Sequence, residues 1–245
     1  MRVRVLGCGD AFGSGGRLNT NFFIDASVGI LLDCGASALP ALKRAGLDGN
    51  RVDVIVLTHL HGDHFAGIPF LVRETQIAAA RTKPLTIVGP PGHERVIRET
   101  MQLLFPGSPG RLDAFDLLFI DYSATEPLDV GGLRIRAVAV QHTAGTNPHA
   151  VRLTIDGRTI AYSGDTAWLD SLVELAAEAD LFICECYQME PRTPNHIDLR
   201  SIRAHRPSLT CKRLLLTHMG EEMLALPDGP DVPERAHDGL EIDLG

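Results

Sequence analysis

Apolar residues along this chain gather in short runs bounded by Gly, Asp or Asn, and between those runs they return at the three-to-four spacing of a helix face. The runs predict strands over 2–6, 21–25, 30–33, 52–58, 85–88, 133–140, 150–156, 159–163, 181–185 and 213–217. The spaced segments predict helices over 37–44, 67–79, 92–104, 168–178 and 199–205. Turn chemistry sharpens several boundaries. Asp156-Gly157 suits a two-residue hairpin turn, whose residues need positive φ, Gly46 suits the cap beyond the first helix, and Pro91 suits the first turn of the third. The alternation implies an α/β protein. Neither a repeat nor a low-complexity linker divides it, so residues 1–245 are expected to form a single domain. The Pro-, Gly- and acid-rich stretch 221–245 is expected either as a mobile tail or, where 239–244 alternates, as an edge strand.

Composition narrows the setting. With 44% hydrophobic and 22% charged residues the chain has the balance of a soluble globular protein. No apolar run reaches the roughly 18 residues needed to cross a bilayer, so no membrane partner is expected. The amino terminus reads as a strand that meets Gly7, without the long apolar stretch of a secretory leader, and a cytoplasmic location is expected. The five cysteines (Cys8, Cys34, Cys184, Cys186 and Cys211) contain no Cys-x-x-Cys pair and are expected as reduced, buried thiols. Cys184 and Cys186 flank Glu185 on one apolar strand and should point into the same packed layer. A net charge of −8, from 23 basic and 31 acidic residues, works against attraction to a polyanion, so long nucleic acid is disfavoured as a partner.

One stretch carries dense chemistry. The apolar strand Val54-Ile55-Val56-Leu57 runs into Thr58-His59-Leu60-His61-Gly62-Asp63-His64. His59 and His61 are two apart, so in extended chain both imidazoles leave the same face and can reach one ion. Gly62 permits a turn, after which Asp63 and His64 can approach a second ion from another side, as an oxygen and nitrogen set suited to zinc or manganese. The spacing suits two metals better than one.

With this motif the sequence resembles the metallo-β-lactamase superfamily, whose members follow a strand with His-x-His-x-Asp-His and set further ligands at the ends of later strands. The resemblance implies three more ligands: His142 on the first metal, Asp165 bridging both, and His218 on the second. Each also stands directly after an apolar run, where a sheet presents side chains at one edge. The resemblance extends from Leu6-Gly7-Cys8-Gly9 to His218 and implies a four-layer αββα sandwich, with two sheets face to face and helices outside. Two divalent ions are therefore expected as cofactors, zinc ahead of manganese.

Within the superfamily the chain is most similar to ribonuclease Z and related phosphodiesterases. The similarity rests on Leu6-Gly7-Cys8-Gly9-Asp10-Ala11-Phe12-Gly13, on Arg17-Leu18-Asn19-Thr20-Asn21, and on 179–187 around Glu185. It implies that His196 acts near the leaving group, although Ile197-Asp198 follow it where those relatives carry Ser-Thr. Glu185 is a candidate to orient His196 or a ligand histidine, since ligating imidazoles commonly donate their second N–H to a carboxylate. Ribonuclease Z extrudes a tRNA-gripping arm between the third histidine and the bridging aspartate, whereas here one loop and one hairpin join His142 to Asp165. The loop over 106–116 is neither basic nor glycine-rich enough to replace the arm.

The expected function is therefore two-metal hydrolysis of a small or short phosphodiester, with in-line attack on phosphorus, Asp63 holding the attacking water and His196 donating a proton to the departing oxygen. The alternatives are hydrolysis of a lactone, thioester or β-lactam, tRNA 3′ processing, and a binding protein on a silent fold. The resemblance also implies a homodimer. The glycines at 7, 9, 13, 15 and 16 either offer backbone N–H groups to an anion or form a tight structural turn. Trp168 either packs a helix on the sheet or walls the pocket, and His93, His149, His205 and His237 are expected as surface or satisfied histidines.

Overall fold

A computed structural model describes residues 1–107 and 114–245, so residues 108–113 of the 106–116 loop lie outside the described residues. Strands are numbered here in chain order. One sheet holds β1 (Arg2–Gly7), β2 (Asn21–Asp25), β3 (Gly29–Leu32), β4 (Val54–Val56), β5 (Leu85–Gly89), β6 (Leu117–Asp121) and β14 (Glu241–Asp243), in the order β14-β1-β2-β3-β4-β5-β6. The other holds β7 (Leu128–Val130), β8 (Leu133–Ala139), β9 (His149–Ile155), β10 (Arg158–Tyr162), β11 (Leu181–Glu185), β12 (Leu214–Thr217) and β13 (Glu234–Arg235), in the order β13-β12-β11-β10-β9-β8-β7. Each sheet is antiparallel on one side and parallel on the other: β3 to β6 run parallel in the first, β10 to β13 in the second.

Period-two alternation builds the layers. Val3, Val5, Phe22, Ile24, Ile30 and Leu32 face Leu153, Ile155, Ile160, Tyr162, Leu181 and Ile183 across the space between the sheets. The opposite face of the first sheet, with Phe23, Leu31, Ile55 and Ile87, is covered by the helices α1 (Ala38–Arg44), α3 (Ile68–Ile77) and α4 (His93–Leu104). The opposite face of the second, with Phe182, Cys184, Cys186 and Leu216, is covered by α5 (Ser171–Ala176), α6 (Leu199–His205) and α7 (Glu221–Ala225). Each fully buried Leu, Ile or Phe contributes about 1.5–3 kcal/mol to holding these layers together. The result is the expected αββα sandwich, and Cys184 and Cys186 do share one layer. All five cysteines are free and buried.

Differences from the sequence reading lie mostly at ends and in short elements. The run 52–58 is a strand only over Val54–Val56, because Leu57 and Thr58 already turn toward the histidine loop. The helix expected over 168–178 is confined to Ser171–Ala176, where Ala177 turns extended and Glu178 takes positive φ. Pro91 lies ahead of α4, which starts behind Gly92 in the left-handed region. The hairpin at Asp156-Gly157 has positive φ at both residues, and Gly46 caps α1 at φ 67°. The carboxyl-terminal stretch is built in: β14 pairs with β1 at the sheet edge, and Asp238 accepts the N–H groups of Cys8 and Leu18 at 3.1 and 2.9 Å. Strands β6, β7 and β13 and helix α7 were not expected. Among the described residues no helix is long and apolar enough to cross a membrane.

Candidate metal centre

The parallel strands of both sheets end at one edge, and the loops leaving them converge there. After β4 the chain is pinned: Tyr122 Oη donates to the carbonyls of Leu57 and Thr58 at 2.8 and 3.1 Å, the N–H of His149 donates to the Thr58 carbonyl at 3.0 Å, and Leu60 N–H donates to Thr146 O at 3.0 Å. Gly62–Phe65 then form a single helical turn, α2, behind His61, which carries Asp63 and His64 to the other side of the site. The close approach needs glycine. A Cβ on Gly35 would stand 1.8 Å from the backbone oxygen of Asp63.

Three imidazoles meet on one side. His61 Nδ1 lies 3.2 Å from His59 Nε2 and 3.1 Å from His142 Nε2. A ring nitrogen has either one hydrogen or one lone pair, so His61 Nδ1 cannot satisfy both neighbours. A tetrahedral zinc ion with Zn–N of about 2.0 Å would set its nitrogen ligands about 3.3 Å apart, close to this spacing. His142 Nδ1 donates to the Asn195 carbonyl at 2.9 Å, which leaves its Nε2 with a lone pair toward the group. Burial lowers the pKa of His59, His61 and His142, so all three are held neutral, the state a metal requires.

On the other side His64 Nε2 lies 3.2 Å from Asp63 Oδ2 and 3.3 Å from Asp165 Oδ1. His64 Nδ1 donates to Asp33 Oδ2 at 2.7 Å. His218 Nε2 is 3.2 Å from Asp165 Oδ2, and that same oxygen is 4.0 Å from His59 Nε2 and 3.9 Å from His142 Nε2. Asp165 thus stands between the two sets. Four side chains here, Asp63, His64, Asp165 and His218, offer donor atoms all within 4.8 Å of one another, as do His59, His61 and His142. Burial works against protonating His64, yet Asp165, Asp63 and Asp33 raise its pKa well above the usual histidine value. Burial likewise resists ionising Asp63, but His64 pulls its pKa well below the usual carboxylate range. These carboxylates demand positive charge, and His64 Nε2 and Asp165 Oδ1 are buried without hydrogen-bond partners. The donor set and its orphaned atoms fit a divalent cation on each side.

Beyond the second set lies a hydrogen-bonded pair. Leu181, Ile183 and Glu185 share the face of β11 that looks between the sheets, so the strand delivers the Glu185 carboxylate to the site from inside the protein. Glu185 is fully buried, its Oε2 accepts the N–H groups of Thr166 and Ile197 at 3.0 Å each, and its Oε1 accepts from His196 Nδ1. Burial lowers the proton affinity of His196, but the hydrogen bond and charge of Glu185 outweigh it and raise the pKa. The Ile197-Asp198 departure does not disturb this arrangement: the Ile197 side chain is buried, and Asp198 caps α6 by accepting Ser201 N–H at 2.9 Å. His61, Asp63, His142, His196 and His218 line one cavity of about 230 Å³.

Other readings resolve differently. Glycine amides 9, 13, 15 and 16 already donate to Leu18 O, Asp10 O, Glu221 Oε1 and Gly13 O, and Gly7 sits in the ladder opposite Asn21, so the segment is a structural turn and not an anion cradle. Trp168 stacks on His205 at 4.5 Å between centroids and packs on the α5–α7 side of the second sheet. His93 is a buried histidine with acceptors at both nitrogens, Asp121 and Pro90 at Nδ1 and Ile87 O at Nε2. Sequence reasoning missed Asp33, Thr58 and Asn195, which orient the imidazoles. Asp33 was detectable, since it ends the apolar run Gly29–Leu32 as Asp165 ends that of β10.

The profile described as the beta-lactamase superfamily domain matches residues 20–219. The chain is similar to a ribonuclease Z of Agathobacter rectalis, 26% identical over 81% of this chain and 80% of that one. It is similar to the probable metallo-hydrolase YhfI of Bacillus subtilis, 26% identical over 89% and 87%. Among solved structures, the short form of human tRNase Z superposes with a TM-score of 0.81 at 25% identity, covering 100% of both chains.

Proposed function

The chain belongs to the β-lactamase superfamily and is a metal-dependent hydrolase, and from that premise we propose that it is a two-metal phosphodiesterase acting on small or short phosphodiesters. His59, His61 and His142 would hold one divalent ion, Asp63, His64 and His218 the other, and Asp165 would reach both. Zinc fits the nitrogen-rich set, and manganese is the alternative. When bound, the ions supply an acidified water and polarise the phosphoryl oxygen. Asp63, at the cavity wall, orients that water. Glu185 accepts the Nδ1 proton of His196, which aligns the ring so that its Nε2 can carry a proton to the departing oxygen.

The observation that carries this reading is His196, held from behind by buried Glu185, lining the same cavity as the metal donors, because an alkoxide leaving from phosphorus needs a proton. The size of the cavity, the net charge of −8 and the short connection from His142 to Asp165 support a small substrate. The relatives named ribonuclease Z favour a second reading, tRNA 3′ processing.

Hydrolysis of bis(p-nitrophenyl) phosphate, nitrocefin, a homoserine lactone and a tRNA precursor with a 3′ trailer, each with zinc and with manganese, tests both. Turnover of the phosphodiester alone is expected. Cleavage of the precursor at a higher kcat/KM selects the second reading, and turnover of the lactone or nitrocefin alone overturns both.

A further inference from the structure

Phe12 is 84% exposed, the highest value among the large apolar side chains of the described residues, and it lines the cavity that His61, Asp63 and His196 share. A single exposed apolar residue is ordinary on a protein surface. This one differs in where it stands and in how it is held. Asp10 Oδ1 accepts the N–H groups of Phe12 and Ser14 at 3.1 and 2.9 Å, and Asp10 Oδ2 accepts Ser14 Oγ at 2.7 Å. Gly13 then turns through φ 70°, Gly15 N–H donates to Glu221, and Arg17 anchors the end of the loop on Ala236 O at 2.7 Å. The loop backbone is therefore fixed where Phe12 meets the cavity, so binding has to order the ring but not the loop.

The rest of the cavity wall says what such a ring can meet. Among the described residues that line it, none is Lys or Arg, and the neutral ones include Thr143, Tyr187 and Thr193. A substrate rich in phosphates would find no Lys or Arg in this wall, only the metal donors and the single imidazole of His196. A substrate with one phosphoryl group and a flat apolar face would be matched at both ends.

Resting on the phosphodiesterase reading, we propose that Phe12 is a specificity-determining residue that stacks on a planar ring of the substrate, so that the substrate class is a nucleoside phosphodiester with its base against Phe12. Base–aromatic stacking is sequence-tolerant and of useful strength, which suits a site that offers a ring face and few directional groups for base edges.

The test is equilibrium binding of adenosine 5′-monophosphate and of ribose 5-phosphate to the metal-loaded protein by calorimetry, for the parent, Phe12→Ala and Phe12→Tyr. Both ligands place a phosphate at the same donors, and only the first carries a base. The parent should bind the nucleotide at least tenfold more tightly than the sugar phosphate. Phe12→Ala should weaken nucleotide binding by about tenfold, with ribose 5-phosphate changed less than twofold, and Phe12→Tyr should retain the preference. Equal binding of the two ligands by the parent, no measurable nucleotide binding, or equal weakening of both in Phe12→Ala overturns the proposal. Because binding needs no turnover, a parent that prefers the nucleotide yet fails to hydrolyse bis(p-nitrophenyl) phosphate would leave the stacking role standing and remove the phosphodiesterase reading.

Discussion

Asp33 Oδ2 accepts the Nδ1 proton of His64 at 2.7 Å, with both side chains fully buried. The same carboxylate receives Thr58 N–H at 2.8 Å, so one side chain ties the end of β3 to the histidine loop and fixes which nitrogen of His64 is free. In Asp33→Asn an amide NH2 facing His64 would oppose Nδ1–H and drive the proton to Nε2, the atom that faces Asp63 and Asp165. Metal titration with a competing chelator should show the ion at the Asp63, His64 and His218 set weakened about 10- to 100-fold. The ion at His59, His61 and His142 should be held nearly as before. Equal affinity for both ions in parent and variant would refute the role.

His196 and Glu185 should separate proton transfer from metal binding. His196→Ala is expected to keep both ions and to lose about 10²- to 10⁴-fold in kcat on phosphodiesters with alkyl leaving groups. The loss should be much smaller with p-nitrophenolate, which departs without a proton. Glu185→Gln should fall in the same direction, since it removes the charge that supports a protonated ring. A rate dependence on leaving-group pKa that is identical in parent and His196→Ala would show that the ring does not donate.

Much of this site was legible because its candidate ligands follow a rule of position: His59, Asp165 and His218 all come where an apolar strand ends, and a strand in a parallel sheet must deliver the next residues to one edge. The His-x-His-x-Asp-His spacing made the first of these unmistakable. The orienting partners were harder to read. Asn195 acts through its backbone carbonyl, which any residue supplies, and Thr58 acts through a hydroxyl with no periodic signature. Strands β7 and β13 have three and two residues, too few for alternation to register, and they exist because the neighbouring strands offer open ladders. The glycines left two readings open for a related reason. Their amides already have partners, Glu221 among them, more than two hundred residues away in the chain.

Gly35 should be as sensitive as a ligand although it binds nothing. Its added Cβ would press on Asp63 O at 1.8 Å and on Asn19 Cβ at 2.9 Å, so α2 must move. Gly35→Ala is expected to cost about 1–3 kcal/mol in stability and to lower metal occupancy at the Asp63 and His64 side. Gly46→Ala provides the contrast: φ is 67° there and nothing lies within 4 Å, so about 1–2 kcal/mol is lost with metal binding intact. Urea denaturation and metal analysis of the two variants check this. Full occupancy in Gly35→Ala would show that the turn tolerates displacement.

The buried thiols predict how stability depends on alkaline pH. Burial pushes the Cys8 thiol up to about 12 from 9.0, with Arg17 opposing and Asp238 adding to the shift, and burial raises Cys34, Cys184, Cys186 and Cys211 as well. A group whose pKa is higher in the folded state binds its proton more tightly there, so the stabilisation is complete below the unfolded value near 9 and is lost as pH rises toward 12. Buried Tyr122 and Tyr162 are shifted in the same sense and add to the loss above pH 10. Urea midpoints should therefore fall steadily from pH 9 to 11, and Cys8→Ala should reduce that slope by up to about 1.4 kcal/mol per pH unit. Burial holds these thiols protonated under native conditions at pH 8, so Ellman's reagent should label less than one thiol per chain within an hour, and all five in guanidinium chloride. A midpoint that is flat across this range, or a native thiol that reacts within minutes, would show that these sulfurs are not packed as described.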